Sequence, residues 1–454
     1  MQLRNAIGID PDSKGIICSY VKSNIEKPEK KGFLATKNGL NEFVRWLGKH
    51  KNIIIAIEGQ NGQSKPVEKI LRKNGIIFYS FKPYDVDKFR KAVLGQNKNN
   101  HKDAESVARY AMALEAQGKL ENYKRVWFPD EELQILTRSH EEKTKELTRE
   151  INRLWKLIRM ASVDLYLALG GKNPDISLNS NKIKNKGILT LLSKIPDIHL
   201  WKDLSENDIL NIMDGNSYKG RINLIAELKK ISVNFEPISQ ALSLLIKNAA
   251  VQICNLTSQK TDLENLIKQV TKDNKAVKIL EEIKGISIIT ASKMIAEIIN
   301  IKRFLKNDNL ASYAGLCLKE NKTGESEKMK YSKMFNHRLK DTFMVAAKNF
   351  VMFNPDSHLS GYCRNLIKSR VKKTEVRKRV ARALVRVIFR KLNGKSLDSS
   401  PNMQHSRSEN EMASGSSHKD HNNPGNISLS TPLDIQTNID NKGKEKKEIL
   451  VEIC

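Results

Sequence analysis

The sequence predicts an α/β domain followed by two mainly helical regions and a polar tail. Over residues 1–125, short apolar runs alternate with amphipathic helical stretches, which is the pattern of an α/β fold. Residues 126–275 are highly charged with apolar residues at helical spacing, and residues 276–395 contain helical stretches separated by glycine turns. With 454 residues, the chain is long enough for two or three domains.

The N-terminal domain is predicted to open with a hairpin and to continue with alternating helices and strands. Turn residues Pro-Asp-Ser-Lys-Gly join two apolar runs at 6–10 and 15–21, so these runs are predicted to pair as strands. The later elements predicted from periodicity and composition are helices at 38–47, 63–74 and 101–118 and strands at 53–57 and 76–81. A hairpin followed by this alternation is typical of an RNase H-like sheet.

Three acids stand at the ends or starts of these predicted elements. Asp10 ends the first strand, Glu58 ends a later one, and Asp103 opens the last helix. RNase H-like nucleases gather carboxylates in this way around Mg²⁺, and two such ions can hold a phosphodiester for in-line attack. Any one of these acids alone could instead be a solvated or capping residue. Asp12 competes with Asp10 and is interpreted as a turn residue because it follows a proline.

The charge of the chain indicates a polyanionic partner. The formal net charge is +28 and the isoelectric point is about 9.7. A charge of this size favours nucleic-acid binding, since lysine and arginine neutralise phosphates. The alternative is a basic protein from an organism whose proteins are generally rich in lysine.

The cysteines and apolar runs bear on the compartment. The chain has five scattered cysteines, none with CxxC spacing, which favours a reducing cytoplasm and gives no zinc site. The N-terminus lacks a signal-peptide core, and no apolar run approaches the ~20 residues that cross a bilayer. We therefore expect a cytoplasmic protein with no membrane partner.

The middle region, 126–275, carries a short heptad pattern. Leu147, Ile151, Leu154 and Ile158 are spaced by four, three and four residues, with charged residues on the other faces. This spacing predicts a coiled coil. One long helix of a bundle is the alternative, because two heptads are short.

The C-terminal region, 276–395, is predicted to begin with a helix-hairpin-helix. Gly285-Ile286-Ser287 separates two helical stretches, and such turns present backbone N–H groups to DNA phosphate at a helix N-terminus. Lys284, Gly285 and Ser287 are therefore candidate DNA contacts. An ordinary pair of helices in a core has the same pattern, so the alternative stays open.

A polar segment with hydroxyl groups follows this pair. Residues 313–326 are predicted to be a helix end followed by a polar loop, in which Thr323 and Ser326 flank Gly324 and Glu325 beside a basic stretch. A hydroxyl in such a loop can be a nucleophile on phosphorus when a metal or base activates it. Both residues could instead simply form turns.

Basic residues in and beyond this stretch are candidate nucleic-acid contacts. Residues 368–390 are predicted to form an amphipathic helix whose basic side meets a nucleic-acid backbone, although a solvated helix face is the alternative. The candidates are Lys328, Lys330, Lys333, Arg338, Lys340, Arg370, Lys372 and Lys373. Residues 396–454 are rich in Ser, Asn, Gly and Lys and are predicted to be a disordered tail.

Taken in order, these motifs resemble the insertion-sequence-110 family, the DEDD transposases that act with a bridge RNA. The N-terminal match comprises Ala6-Ile7-Gly8-Ile9-Asp10, Asn38-Gly39-Leu40, Trp46-Leu47, Ile57-Glu58, Pro83, Phe89-Arg90 and Asp103-Ala104. The C-terminal match comprises Ile283-Lys284-Gly285-Ile286, Thr290-Ala291, Glu297-Ile298, Arg303-Phe304, Tyr313-Ala314-Gly315-Leu316, Ser332-Lys333, Arg338-Leu339-Lys340 and Ala346-Ala347. The similarity extends over about residues 4–392.

The resemblance implies a RuvC-like N-terminal domain with four metal-binding acids and a C-terminal domain with a serine nucleophile. Asp10, Glu58 and Asp103 fall on three acid positions, and Asn100 stands at the fourth. Asparagine supplies a neutral oxygen ligand with less attraction for the metal. Thr323 stands where the family has its serine, before a glycine, and Ser326 is the nearest alternative.

The function implied by the resemblance is DNA recombination that moves an insertion sequence. It includes covalent attack of a hydroxyl on a DNA phosphate, Mg²⁺ at the acids, a structured guide RNA, and a homo-oligomer, dimer or tetramer, with composite sites. Two alternatives remain open. One is an RNase H-like junction nuclease that uses acids and water, and the other is an inactive nucleic-acid-binding remnant, which Asn100 and Thr323 favour.

Overall fold

The structure is a computed structural model, and it describes most of the chain before residue 395. The described residues are 4–23, 27–59, 62–93, 95, 100–125, 127–170, 183, 185–213, 226, 228–230, 232, 235–323, 326–331 and 335–394. The side chains at 100, 101, 318–323 and 326–331 are outside this description. The predicted tail, 396–454, also lies outside the described residues.

The chain divides into two compact units, Met1–Phe128 and Pro129–Cys454. Within the second unit, one apolar core lies between residues 154 and 253 and another between 277 and 388. These separate cores support the division predicted from the sequence into a middle region and a C-terminal region, which we keep as a proposal.

The described strands of the first unit form a five-stranded mixed sheet. Its strands are β1 Asn5–Pro11, β2 Gly15–Val21, β3 Glu29–Leu34, β4 Ile53–Glu58 and β5 Tyr79–Phe81, in the order β3-β2-β1-β4-β5. Strands β1, β2 and β3 are antiparallel neighbours, whereas β4 runs parallel to both β1 and β5. The predicted RNase H-like α/β arrangement of this domain is confirmed.

Helices cover both faces of the sheet. They are α1 Lys37–Leu47, α2 Lys65–Lys73, α3 Pro83–Val93 and α4 Asn100–Ala116. Ile7 and Ile9 of β1 pack with α1 and α2, whereas Ala6 packs with α3 and α4 on the opposite face. Side chains alternate along a strand, so even-numbered residues of β1 face α4.

Two details of the sheet differ from the prediction. Strand β3 was not predicted, because its sequence, Glu-Lys-Lys-Gly-Phe-Leu, buries only Phe33 and has no apolar alternation. The strand predicted over 76–81 is shorter, Tyr79–Phe81, because the apolar residues before it do not pair and Ile77 is exposed. An apolar run therefore marks burial or loop packing here, but not strand length.

Helix α4 lies directly on strand β1 at Gly8. A Cβ atom at Gly8 would be 2.0 Å from the backbone oxygen of Ala104 and 2.5 Å from the backbone nitrogen of Ala108. No other residue type fits at position 8 without moving the helix. This close approach fixes the start of α4 above the end of β1.

We expect Gly8→Ala to destabilise the first unit and displace α4. Overpacking a closely packed contact typically costs about 1–3 kcal/mol, which should lower the melting temperature measurably. Gly62→Ala is the matched control, because a Cβ there would meet no atom within 4 Å. Equal melting temperatures for the two variants would contradict the proposed role of Gly8.

The second unit is mainly helical. Its described helices are α5 Glu131–Ala161, α6 Val163–Ala168, α7 Lys186–Lys194, α8 Glu206–Ile212, α9 Gln240–Thr271, α10 Lys275–Glu281, α11 Ile288–Ile298, α12 Asn307–Tyr313, α13 His337–Phe353, α14 His358–Lys368 and α15 Lys373–Leu392. Within the described parts of the chain, none of the helices has both the length and the apolar character needed to cross a bilayer.

Helices α5 and α9 pack against each other as a long antiparallel pair. His140 contacts Glu264 at one end, and Leu154 and Ile158 share a core with Ile246 at the other. The predicted heptad residues lie on the packed face, with Leu154 and Ile158 fully buried. The heptad pattern therefore has its partner within the same chain.

The segment predicted as a polar loop is a β-hairpin instead. Strand β6, Leu318–Thr323, pairs antiparallel with β7, Ser326–Tyr331. The sequence prediction was wrong because Lys-Glu-Asn-Lys-Thr and Ser-Glu-Lys-Met-Lys contain few β-forming side chains. The observation that defines these strands is their backbone pairing, from Leu318 with Tyr331 to Thr323 with Ser326.

Candidate active site

Asp10 and Glu58 stand side by side at one edge of the sheet. The parallel register pairs Ile9 of β1 with Ile57 of β4, so the next residue on each strand is an acid. Ile9 and Ile57 both face the core under α1 and α2. Because side chains alternate, Asp10 and Glu58 both face the opposite side, where α4 lies.

Asp103 is placed above this edge by the first turn of α4. It precedes Ala104, whose backbone touches Gly8 two residues before Asp10. Asp103 is 7% exposed. The three predicted acids are therefore directed to the same side of the sheet, and the close contact at Gly8 is what brings the helix to that edge.

Glu58 and Asp103 line one cavity of about 260 Å³. The side chains that complete its wall come from α3: Pro83, Tyr84, Val86, Asp87 and Arg90. Pro83 and Arg90 belong to the N-terminal motif, and no role was predicted for either from the sequence. The cavity is large enough for a hydrated ion or part of a phosphate group.

Arg90 is buried and holds Asp103. Its Nε lies 3.3 Å from Oδ1 of Asp103, and its Nη2 lies 2.6 Å from Oδ1 of Asp87. Its Nη1 also donates to the carbonyl oxygen of Gly95 at 3.2 Å. Hydrogen bonds from Lys91 and then from Arg90 lower the pKa of Asp87 below its ordinary value. Sequence spacing could not reveal this arginine, because its charge acts on a residue thirteen positions away.

The acids fit a divalent metal by their chemistry and placement. Carboxylate oxygens are ligands that Mg²⁺ prefers, and the three carboxylates are on one side of the sheet. Among the described residues, however, no group of three or more His, Cys, Asp or Glu side chains is close enough to hold an ion. Asn100 begins α4, but its side chain lies outside the described residues. The metal site therefore stays a prediction.

The two candidate hydroxyl residues face each other at the end of the hairpin. Thr323 is the last residue of β6 and Ser326 the first of β7, and the register pairs them directly. Their side chains lie outside the described residues, as do those of Lys328, Lys330 and Lys333. Thr323 and Ser326 thus occupy equivalent backbone positions, and the register alone does not distinguish which of them is the nucleophile.

The predicted helix-hairpin-helix appears as two short helices, α10 and α11, joined by a turn. Gly285 has φ +94°, and a Cβ there would lie 2.8 Å from the backbone of Asn349 in α13. Ser287 caps α11 by accepting from the N–H of Thr290. Lys284 is exposed. The turn is packed against a helix, which the alternative interpretation also predicts, so its binding to DNA stays a prediction.

The remaining basic candidates divide into exposed and engaged residues. Arg370, Lys372 and Lys373 are exposed around the start of α15. Arg338 forms ion pairs with Glu141 and Glu142 of α5, with an Nε–Oε2 distance of 3.2 Å to Glu141.

Lys340 lies over the ring of Phe335, with its Nζ 4.3 Å from the ring centroid. Burial, the largest cause, lowers the pKa of Lys340. The sequence could not distinguish these engaged cations from solvent-facing ones.

We expect nucleic-acid binding to depend strongly on salt. Six to ten phosphate contacts would lower the affinity by about 10³–10⁵ between about 50 and 200 mM salt, through counterion release. Lys372→Ala should reduce the slope of log affinity against log salt by about one. Lys37→Ala, at an exposed lysine outside the candidate set, is the control. A flat salt titration would show that the +28 charge does not serve binding.

Two family models match this chain. A DEDD transposase model of the IS110 type matches residues 7–161, and the model described as "Transposase IS116/IS110/IS902 family" matches residues 277–361. Together they cover just over half of the 454 residues and include all three acids and the hairpin.

Individual known proteins resemble this chain only weakly. A solved structure of T. thermophilus RuvC in complex with Holliday junction substrate is similar over 26% of this chain and 97% of its own length, at 13% identity and a TM-score of 0.21. No curated protein matches the chain. The assignment therefore rests on the two family models, which agree with the motifs at both ends: the chain belongs to the IS110 family of DEDD transposases and is a DNA transposase.

Proposed function

We propose that this transposase cuts and rejoins DNA through a covalent link to a hairpin hydroxyl, with Mg²⁺ at the acids and a structured RNA as guide. The placement of Asp10, Glu58 and Asp103 on one side of the sheet is the observation that supports it most. The hydroxyl pair at the end of the hairpin supports the covalent step. The reaction requires the acids and one hydroxyl to act on the same phosphate.

In this proposal Asp10, Glu58 and Asp103 hold the metal, with Asn100 as a neutral fourth ligand. When bound, Mg²⁺ supplies positive charge at the phosphate and stabilises the charge that develops there. Arg90 keeps Asp103 oriented toward the cavity and balances its charge, with Nε at 3.3 Å. The apolar core beneath β1 and β4 includes Ile9 and Ile57, the residues that precede the two acids, and so supports their adjacent positions.

Attack by the hydroxyl exchanges one phosphodiester for another. Oγ of the attacking residue bonds to phosphorus, and the bond from phosphorus to one deoxyribose oxygen breaks. The hydroxyl proton passes to solvent or a base, and the departing oxygen takes up a proton. Because the new protein–DNA link is also a phosphodiester, a second deoxyribose hydroxyl can reverse the step and rejoin the strand.

The guide RNA and the oligomer are the finer parts of the proposal. A net charge of +28 exceeds what a single short DNA contact needs, and it leaves basic surface for a second nucleic acid. We propose a homo-oligomer, a dimer or tetramer, acting in the cytoplasm, where the five scattered cysteines stay reduced.

The test uses the full chain, the RNA transcribed from the DNA beside its gene, and matching DNA. With Mg²⁺ and RNA, we expect denaturant-resistant protein–DNA adducts and recombined DNA. EDTA in place of Mg²⁺ should remove both products. Equal yields without RNA would contradict the guide. DNA cleavage without an adduct would indicate a junction nuclease that uses water.

A further inference from the structure

Glu297 is a buried carboxylate with no part in the chemistry described above. It lies in the last turn of α11 and is 5% exposed. It belongs to the Glu297-Ile298 motif, for which no function was predicted from the sequence. An ionised side chain so far from water requires strong partners, and those partners show what it holds.

Three hydrogen bonds to Glu297 come from two directions. Arg138 of α5 donates from Nε at 2.9 Å and from Nη2 at 3.3 Å, which makes a two-pronged pair. Asn336 donates from Nδ2 at 2.7 Å. The bonds of 2.9 Å and 2.7 Å have the length of strong charge-assisted bonds, and the two-pronged arginine contact fixes the direction of the carboxylate.

Asn336 connects the residues just before β6 with those just after β7, which we call the two feet of the β6–β7 hairpin. Its Nδ2 also donates to the hydroxyl of Tyr313 at 3.1 Å, and its backbone N–H donates to the carbonyl of Tyr313 at 2.8 Å. Tyr313 ends α12 just before β6, and Asn336 follows β7 and caps α13. One asparagine thus ties the entry and the exit of the hairpin to each other and to Glu297.

Two further contacts involve residues next to the hairpin. The ring of Phe335 lies over Gly315, where a Cβ would be 2.3 Å from the ring, and Gly315 has φ +66°. The Arg303 guanidinium lies 4.9 Å from the ring centroid of Tyr313. Motif residues of unassigned role therefore converge at the base of the hairpin.

We propose that Glu297 and Asn336 are positioning residues that aim the hairpin carrying Thr323 and Ser326. An isolated two-stranded hairpin is only marginally stable, so its direction depends on how its feet are held. An error of 1 Å in placing a reacting group can cost about 100-fold in rate. The inference rests on the proposed function only for its effect on the rate.

The decisive variant is Asn336→Ser. Serine caps a helix about as well as asparagine, so the start of α13 is retained. The hydrogen bonds that the side-chain amide of Asn336 donates to Glu297 and to the Tyr313 hydroxyl are lost. Asn274→Ser is the matched control, because Asn274 caps α10 with its Oδ1 and has no contact with the hairpin feet. Glu297→Gln is a second variant that keeps the shape but removes the charge.

Two measurements test the proposal. Hydrogen exchange of the backbone amides of β6 and β7 should speed up by about tenfold or more in Asn336→Ser and Glu297→Gln, as when a bond to a charged group is lost. Adduct formation should fall by ~100-fold at saturating DNA, with the DNA dissociation constant unchanged. The control Asn274→Ser should change neither.

Wild-type exchange of the hairpin in Asn336→Ser and Glu297→Gln would overturn the proposal, as would equal acceleration in the control. If the wild-type protein forms no adduct, the proposed function fails. The exchange measurement then still decides whether Glu297 and Asn336 hold the hairpin.

Discussion

Replacing Asp10 by alanine is expected to reduce strand transfer to background while nucleic-acid binding stays nearly unchanged. Asp10 and Glu58 stand at neighbouring positions on parallel strands, so losing one carboxylate removes charge from the proposed metal site without changing the basic surfaces. Removing one electrostatic contact to a transition state costs about 10²–10³ in rate. Adduct yield and strand transfer should fall together, and a gel-shift titration should give the wild-type dissociation constant.

Asp12→Ala is the matched control for this prediction. Asp12 is exposed in the turn after β1, and its carboxylate accepts from the backbone N–H of Ser13 at 2.6 Å. The control should keep full activity. Wild-type activity in Asp10→Ala would contradict the proposed metal site. Loss of activity in Asp12→Ala would indicate that Asp12, in the turn, is the required acid.

The identity of the nucleophile is the second large expected effect. We expect the protein–DNA link at Thr323, which directly precedes Gly324, so Thr323→Ala should abolish the adduct whereas Ser326→Ala should retain it. The register pairs these two residues, so each variant is the structural control for the other. Mass spectrometry of the trapped adduct gives the attached residue directly. A link at Ser326 would reverse the assignment.

Thr323→Ser should raise activity, because the threonine methyl would add bulk at the proposed reaction centre and small misplacements slow attack by up to ~100-fold. Asn100→Asp should raise it further by restoring a charged ligand for the metal. If neither the wild-type chain nor the double variant forms an adduct or cleaves DNA, the chain would be a nucleic-acid-binding remnant of a transposase.

The sequence was sufficient for the parts of the fold that depend on burial. The run Ile53-Ile54-Ile55-Ala56-Ile57 is short and mostly β-branched, which favours a strand covered on both faces over a helix, and β4 is such a strand. The acid that follows it is then necessarily at a strand end. Similarly, Leu154 and Ile158 marked the packed face of α5 because only a buried face needs that spacing.

Features that depend on pairing or on distant contacts could not be predicted. Strand β3 and the β6–β7 hairpin consist largely of polar residues, and their hydrogen bonds leave no periodic signal. Arg90 and Glu297 are single charges whose partners are remote in sequence. The separation of Thr323 from Ser326 was visible, but that they oppose each other required the register.

The long helix pair sets a fixed distance within the second unit. At 1.5 Å per residue, the 31 residues of α5 span roughly 46 Å, the length of about 14 base pairs of DNA. Adding one residue would turn the buried face by ~100° and expose leucines, whereas seven residues in each helix would restore it. The packing of the pair therefore restricts changes in its length to whole heptads added to both helices.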